Sequence, residues 1–260
     1  MLEQTTPAAT RRRGDGAPGM PTAEEEALGL LEHAHRDIRG GTARAAVFGI
    51  SDGLLTNVSL ILGVVGAGPA AGVVRLAGLA GLVAGAFSMA AGEYLSMTAQ
   101  VELFAREVAV ESESLRRDPA GEHDELVTLY IARGLRPEVA DEVATVIMGD
   151  PELALRVHTQ EELGAAPEAI GSPLAAAVAS FVSFAVGAFI PLVPWLFTSG
   201  AGAVAASIVL GAATSVGIGT VLAQFTGRSR ILSAVRQLVI AAVAAAVTYG
   251  VGAAVGTRIT

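Results

Sequence analysis

The 260-residue chain contains no cysteine and no lysine; every basic residue is an arginine. Without thiols it can form no disulfide, zinc-thiolate site, iron–sulfur cluster or thiol redox motif, so any metal must be held by oxygen, imidazole or thioether. It also lacks a P-loop, a dinucleotide fingerprint after a strand, Gly-x-Ser-x-Gly and His-Glu-x-x-His. "GAGPAAG" resembles a phosphate loop only superficially, because it joins two apolar runs. The chain is therefore expected not to be an enzyme, and any transport it performs must draw on an ion gradient rather than on ATP. Acid, too, is missing from everything after Glu168.

Apolar residues are abundant. A hydrophobic share of 52% against 16% charged, with mean hydropathy +0.56, lies outside the range of a soluble domain. Five runs, at about 44–66, 76–97, 174–197, 201–223 and 232–255, reach the roughly 20 residues needed to cross a hydrocarbon core. All are rich in Gly, Ala and Ser, which let transmembrane helices approach closely. In the third run Pro191 and Pro194 should kink or end the helix, and Trp195 suits the interfacial belt.

Arginine placement sets the expected orientation. Arg11 to Arg13, Arg36, Arg39 and Arg44 precede the first run, and Arg228, Arg230 and Arg236 surround the connection before the fifth; these ends belong in the cytoplasm. Only Arg75 and Arg258 oppose this. The N-terminus is then cytoplasmic and the C-terminus external, in a multi-pass protein of the cell inner (plasma) membrane. Residues 1–26 mix Pro, Gly, Thr and arginine with no apolar h-region and are expected to be a disordered tail, followed by an interfacial amphipathic helix over 27–43.

Between the second and third runs lies the acidic part of the chain. From Glu102 to Glu168 there are sixteen acids and six arginines, a balance of −10 that argues against nucleic acid and for cations. Helical spacing predicts three helices here. One places Leu126, Leu129 and Tyr130 on a face and stops at Arg133-Gly134; a second buries Val139, Val143, Val146 and Ile147; a third runs over about 151–163. Nothing breaks the helix between "GEYLSMTAQ" and "VELFAREVAVESESLRR", so the second span should continue into the cytoplasm.

The residues able to carry chemistry fall in two groups. Asp52 and Glu93 are the acids inside apolar spans, where a carboxylate is costly and tends to face a polar pathway or partner. Met89 stands one turn before Glu93, so a thioether and a carboxylate share a helix face. In the acidic segment Glu107 and Glu111, Glu122 and Glu125, and His158 and Glu162 are face-sharing pairs. Stacked carboxylates repel unless a cation sits between them, and glutamate with histidine or methionine suits a first-row ion such as Fe(II) or Mn(II) better than calcium. The bland alternative for each pair is a solvated face. His33 and His35, two apart, do not face each other and are expected to be interfacial.

"SDGLLTNVSLILGVVGAG", followed by "AGAFSMAAGEYLSMTAQVE", an acidic helical insert and three further apolar runs, resembles the vacuolar iron transporter family over about residues 33 to 256. The resemblance implies an all-α polytopic membrane protein with five transmembrane helices and a cytoplasmic three-helix metal-binding domain between the second and third. The expected segments are 44–99 for the first two spans, 100–170 for the insert and 171–260 for the last three spans. It further implies a homodimer in the lipid bilayer, with an ion path between subunits, exporting Fe(II), sometimes Mn(II), against protons; no permanently bound cofactor is expected, and ligand softness leaves Co(II) and Zn(II) open as further substrates. By position, Asp52 and Met89 match the family's intramembrane pathway, where Glu93 joins them. Glu111, Glu122, Glu125 and Glu162 match carboxylates of its metal-binding domain, to which Glu107, Glu113 and His158 are added as candidates. Where plant-type members have a carboxylate three residues after the first of these, this chain has Ser114 with Glu113 adjacent; where they have a methionine pair, it has His158 and Thr159. The alternative reading is a membrane-anchored divalent-metal sensor or scaffold without transport.

Overall fold

In a computed structural model, residues 41–164 and 171–256 are described, and every regular element among them is an α-helix. The expected tail over 1–26, most of the helix expected over 27–43, and the end of the insert at 165–170 lie outside the described residues. In chain order the helices are α1 (Gly41–Gly66), α2 (Ala71–Arg117), α3 (Pro119–Ala132), α4 (Pro137–Met148), α5 (Pro151–Leu163), α6 (Pro173–Phe197), α7 (Gly200–Thr226) and α8 (Arg230–Gly256). Five of them, α1, α2, α6, α7 and α8, are long and apolar enough to cross a membrane, and the chain is a multi-pass membrane protein.

The longest helix determines the architecture. α2 has 47 residues, which at helical rise is about 70 Å, more than twice a hydrocarbon core of about 30 Å. Its apolar first half is long enough to span the bilayer, and its second half, beyond Met97, is polar and projects past the other long helices' length of 25 to 27 residues. Three short helices then fold back on that projecting end, each begun by a proline where a missing N–H costs nothing. The Asp118 carboxylate accepts from Gly121 N at 2.9 Å, and the Asp150 carboxylate accepts from Glu152 N and Leu153 N, capping α3 and α5. Gly134 and Gly164, at φ 98° and 66°, supply the left-handed residues that end α3 and α5. Leu126, Ala144, Ile147 and Ala154 form the small core, with Leu115 of α2 packed against it.

Within the membrane part, α1 lies along α6 and also touches α2, α7 and α8. Glycine makes the α1–α6 approach possible: a Cβ on Gly53 would overlap the carbonyl of Phe184, and one on Gly187 would overlap that of Ile50. Asn57, fully buried, donates from Nδ2 to the Ala188 carbonyl at 2.6 Å across the same contact.

Two expectations are corrected, while α6 includes Pro191 and Pro194 and ends at Phe197, three residues beyond the second of them. The Ser207 hydroxyl of α7 donates to the Pro191 carbonyl at 2.7 Å, linking α7 to this part of α6. Trp195 is 3% exposed within the chain, donating to Ser207 Oγ at 3.0 Å, and thus serves as a helix-to-helix tie rather than a surface belt residue. In α4 the buried stripe is Ala140, Ala144 and Ile147, while Val146 is 71% exposed, because the small alanines allow the helices closer and rotate the packed face.

Candidate metal centre

Glu111, Glu122, His158 and Glu162 come together from three helices, with one potential ligand atom of each within 4.8 Å of all the others. Glu111 lies on the projecting part of α2, Glu122 in the first turn of α3, and His158 and Glu162 one turn apart on α5. The capped start of α3 turns the chain directly after α2, which brings Glu122 beside Glu111; the α5 face is added by packing on the insert's core. His158 is 1% exposed, and its Nδ1 is 3.2 Å from Glu111 Oε1, 3.5 Å from Glu122 Oε2 and 3.6 Å from Glu162 Oε1.

Concentrating three carboxylates in a half-dry site raises the energy of the charged forms. Burial, then the charges of Glu162 and Glu122, push the Glu111 carboxyl up to about 7. The Glu122 carboxyl is also raised, chiefly by burial and with help from Glu125, although His158 opposes the shift. Glu111 Oε1 and His158 Nε2 are buried without a hydrogen-bond partner. Such an arrangement is poorly satisfied as it stands and gains from a cation, which would replace the lost hydration of the carboxylates.

The other candidate residues fall elsewhere. Glu125 is exposed beside the cluster, close enough for its charge to raise Glu111 and Glu122 but outside the close set. Glu107 is half-buried one turn before Glu111 and also outside that set. Glu113 is about 200° around α2 from Glu111, and it pairs with Arg116 and, at 2.7 Å, with Arg117. Within the apolar part, Asp52 is exposed on α1 with Thr56 Oγ1 at 3.5 Å from its Oδ1, Met89 packs against the Ala86, Phe184 and Ala188 cluster, and Glu93 is half-buried one turn further along α2.

Sequence reasoning treated Arg133 only as part of a helix stop. Its guanidinium makes a two-pronged ion pair with Glu161, at 2.6 Å on one side, tying the end of α3 to α5 one residue before Glu162. The partner-free spacing of Arg133 and Glu161 in sequence gave no local sign of it. Gln237 of α8, likewise unremarked, donates to Ser51 Oγ at 2.6 Å beside Asp52.

The model describing the VIT family matches residues 43–253 of this chain. Among curated proteins, the chain is 32% identical to Vacuolar iron transporter 2 of Oryza sativa subsp. japonica over 89% of this chain and 95% of that protein. It is 30% identical to Vacuolar iron transporter 1 of the same plant, over 92% and 97% respectively. With the Vacuolar iron transporter of Acanthamoeba castellanii it shares 36% identity over 82% of this chain and 78% of the other.

Proposed function

Because the chain belongs to the VIT family, whose members are transporters and not enzymes, we propose that it moves Fe(II) out of the cytosol in exchange for protons. Mn(II), Co(II) and Zn(II) are further substrates in this reading, since ligand chemistry ranks these ions only by tendency. The insert faces the cytoplasm and collects the ion at the Glu111, Glu122, His158 and Glu162 cluster. Asp52, Met89 and Glu93 then carry it across, in a path formed where two copies of the chain meet in the plasma membrane.

The observation that carries the reading is the continuity of α2. One unbroken helix bears Met89 and Glu93 in its apolar half and Glu111 in the cluster at its polar end. Proton exchange follows from the ligands. Carboxylates must be deprotonated to hold a divalent ion, so protons arriving from the acidic side displace it and metal arriving from the other side displaces protons. Asp52, exposed on an apolar helix, supports a second copy as its neighbour, because a carboxylate turned toward lipid would be costly.

The test is Fe(II) uptake into proteoliposomes, followed with an iron-sensitive dye under an imposed pH gradient. Flux that needs the gradient and stops with a protonophore is the expected result. An uptake indifferent to the gradient removes antiport from the account, and no uptake at all favours a sensor or scaffold.

A further inference from the structure

Gln237 is the last polar residue of α8 before the apolar run 238–247, and its Nε2 donates across the membrane part to Ser51 Oγ of α1 at 2.6 Å. Ser51 is the residue before Asp52. On the opposite side of the same turn, α1 is pressed against α6. A Cβ on Gly49 would meet the Ser183 hydroxyl and the backbone of Ser180 and Phe184, and one on Gly53 would overlap the Phe184 carbonyl. At about 100° per residue, Gly49 and Gly53 lie within about 40° of each other, and Ser51 lies about 180° from their mean. The turn is thus held from two sides, by backbone contact with α6 and by a hydrogen bond from α8. Asp52 falls between the two, about 80–100° from each, and of these four residues it is the exposed one.

Resting on the reading of Asp52 as a station on the ion's route, we infer that Gln237 is its positioning residue: the α8 amide fixes the rotation of the α1 turn, and with it the direction in which the Asp52 carboxylate points. The α6 contact sets how close the helices lie, while the hydrogen bond from α8 opposes rotation about the α1 axis. Cross-helix bonds of this kind contribute little to the stability of membrane proteins, so the fold does not depend on this one. The direction of a carboxylate does, because displacing a functional group by about 1 Å can cost about 100-fold in rate.

The chain has no cysteine, so a nitroxide attached through Asp52→Cys reports on that position alone. In lipid nanodiscs, adding Gln237→Leu should raise the label's mobility, whereas Val239→Ala, on the exposed side of α8, should leave it unchanged. In proteoliposomes under a pH gradient, Gln237→Leu and Ser51→Ala should each lower the maximal rate of Fe(II) uptake per folded protein about 10-fold. The half-saturating concentration, which in this reading the Glu111 cluster sets, should not move. The double variant should be no slower than either single one, since both remove the same bond. Ser51→Thr, which keeps the accepting oxygen, should retain most of the rate. A tie that only stabilises the fold would lower the melting temperature and leave the rate per folded protein intact. That result, losses that multiply in the double variant, a Ser51→Thr rate as low as that of Ser51→Ala, or a label indifferent to Gln237→Leu would each overturn the inference. Absent flux in the wild type instead removes the transport reading, and label mobility then decides by itself whether Gln237 orients the turn.

Discussion

Glu111 of α2 and His158 of α5 meet with Oε1 and Nδ1 3.2 Å apart, in a pocket where burial and two further glutamates push the Glu111 carboxyl up to about 7. A carboxylate that titrates near neutrality would make any ion capture at this cluster sensitive to pH.

Divalent-ion affinity at the cluster should therefore rise as pH goes from 6 to 8, because the ion binds the ionised form of Glu111 and must displace its proton below about 7. Calorimetric titration with Co(II) in buffers of different ionisation enthalpy should detect net proton release near pH 6.5, shrinking by pH 8. Affinity that does not vary with pH would detach Glu111 from the ion.

Metal-free stability should run the other way. Folding raises the Glu111 carboxyl from 4.5 to about 7, so between those values the native state holds more protons than the unfolded one, and stability falls as pH rises through that window. Below about 4.5 both states are protonated and the effect is constant. In EDTA, wild type should lose thermal stability relative to Glu111→Gln as pH rises from 5 to 8, and added Mn(II) should restore the wild type only. Parallel melting curves for the two proteins across pH would contradict this.

The α1–α6 contact should not tolerate a side chain at Gly53. Its Cβ would overlap the Phe184 carbonyl, a backbone atom that cannot swing away. Gly53→Ala is expected to destabilise the protein by about 1–3 kcal/mol and to lower its melting temperature in detergent. Gly72→Ala, where a Cβ meets nothing within 4 Å, serves as the control and should melt like wild type.

Ser207 ties Trp195 to the Pro191 carbonyl, so Ser207→Ala leaves a buried donor and a buried acceptor without each other's intermediary. A loss of about 1–2 kcal/mol is expected for that tie in a membrane protein, measurable by thermal unfolding followed by Trp195 fluorescence. Unchanged melting would mean that the tie between α6 and α7 is carried by other contacts.

Much of the fold is legible because it follows from local pattern. The five apolar helices and the starts of α3, α4 and α5 are written in run length, prolines and capping aspartates. The candidate site is only half legible. His158 and Glu162 share a face of one helix, which spacing alone reveals, whereas their meeting with Glu111 and Glu122 depends on how three helices pack. Helix angle could have separated Glu113 from Glu111, since residues two apart point away from each other and Arg116 and Arg117 wait on the other side. The burial of Trp195 was illegible for a different reason: an indole suits an interface or a core equally well until a partner such as Ser207 is known to reach its N–H.

The central claim is that Asp52 lies on the route taken by the ion. The most direct measurement compares pH-gradient-driven Fe(II) uptake in proteoliposomes holding wild type, Asp52→Asn or Glu111→Gln, each checked for equal reconstitution. The account predicts that Asp52→Asn abolishes uptake at every iron concentration, while Glu111→Gln lowers uptake at low iron and recovers toward wild type at saturation. Wild-type uptake by Asp52→Asn would contradict it.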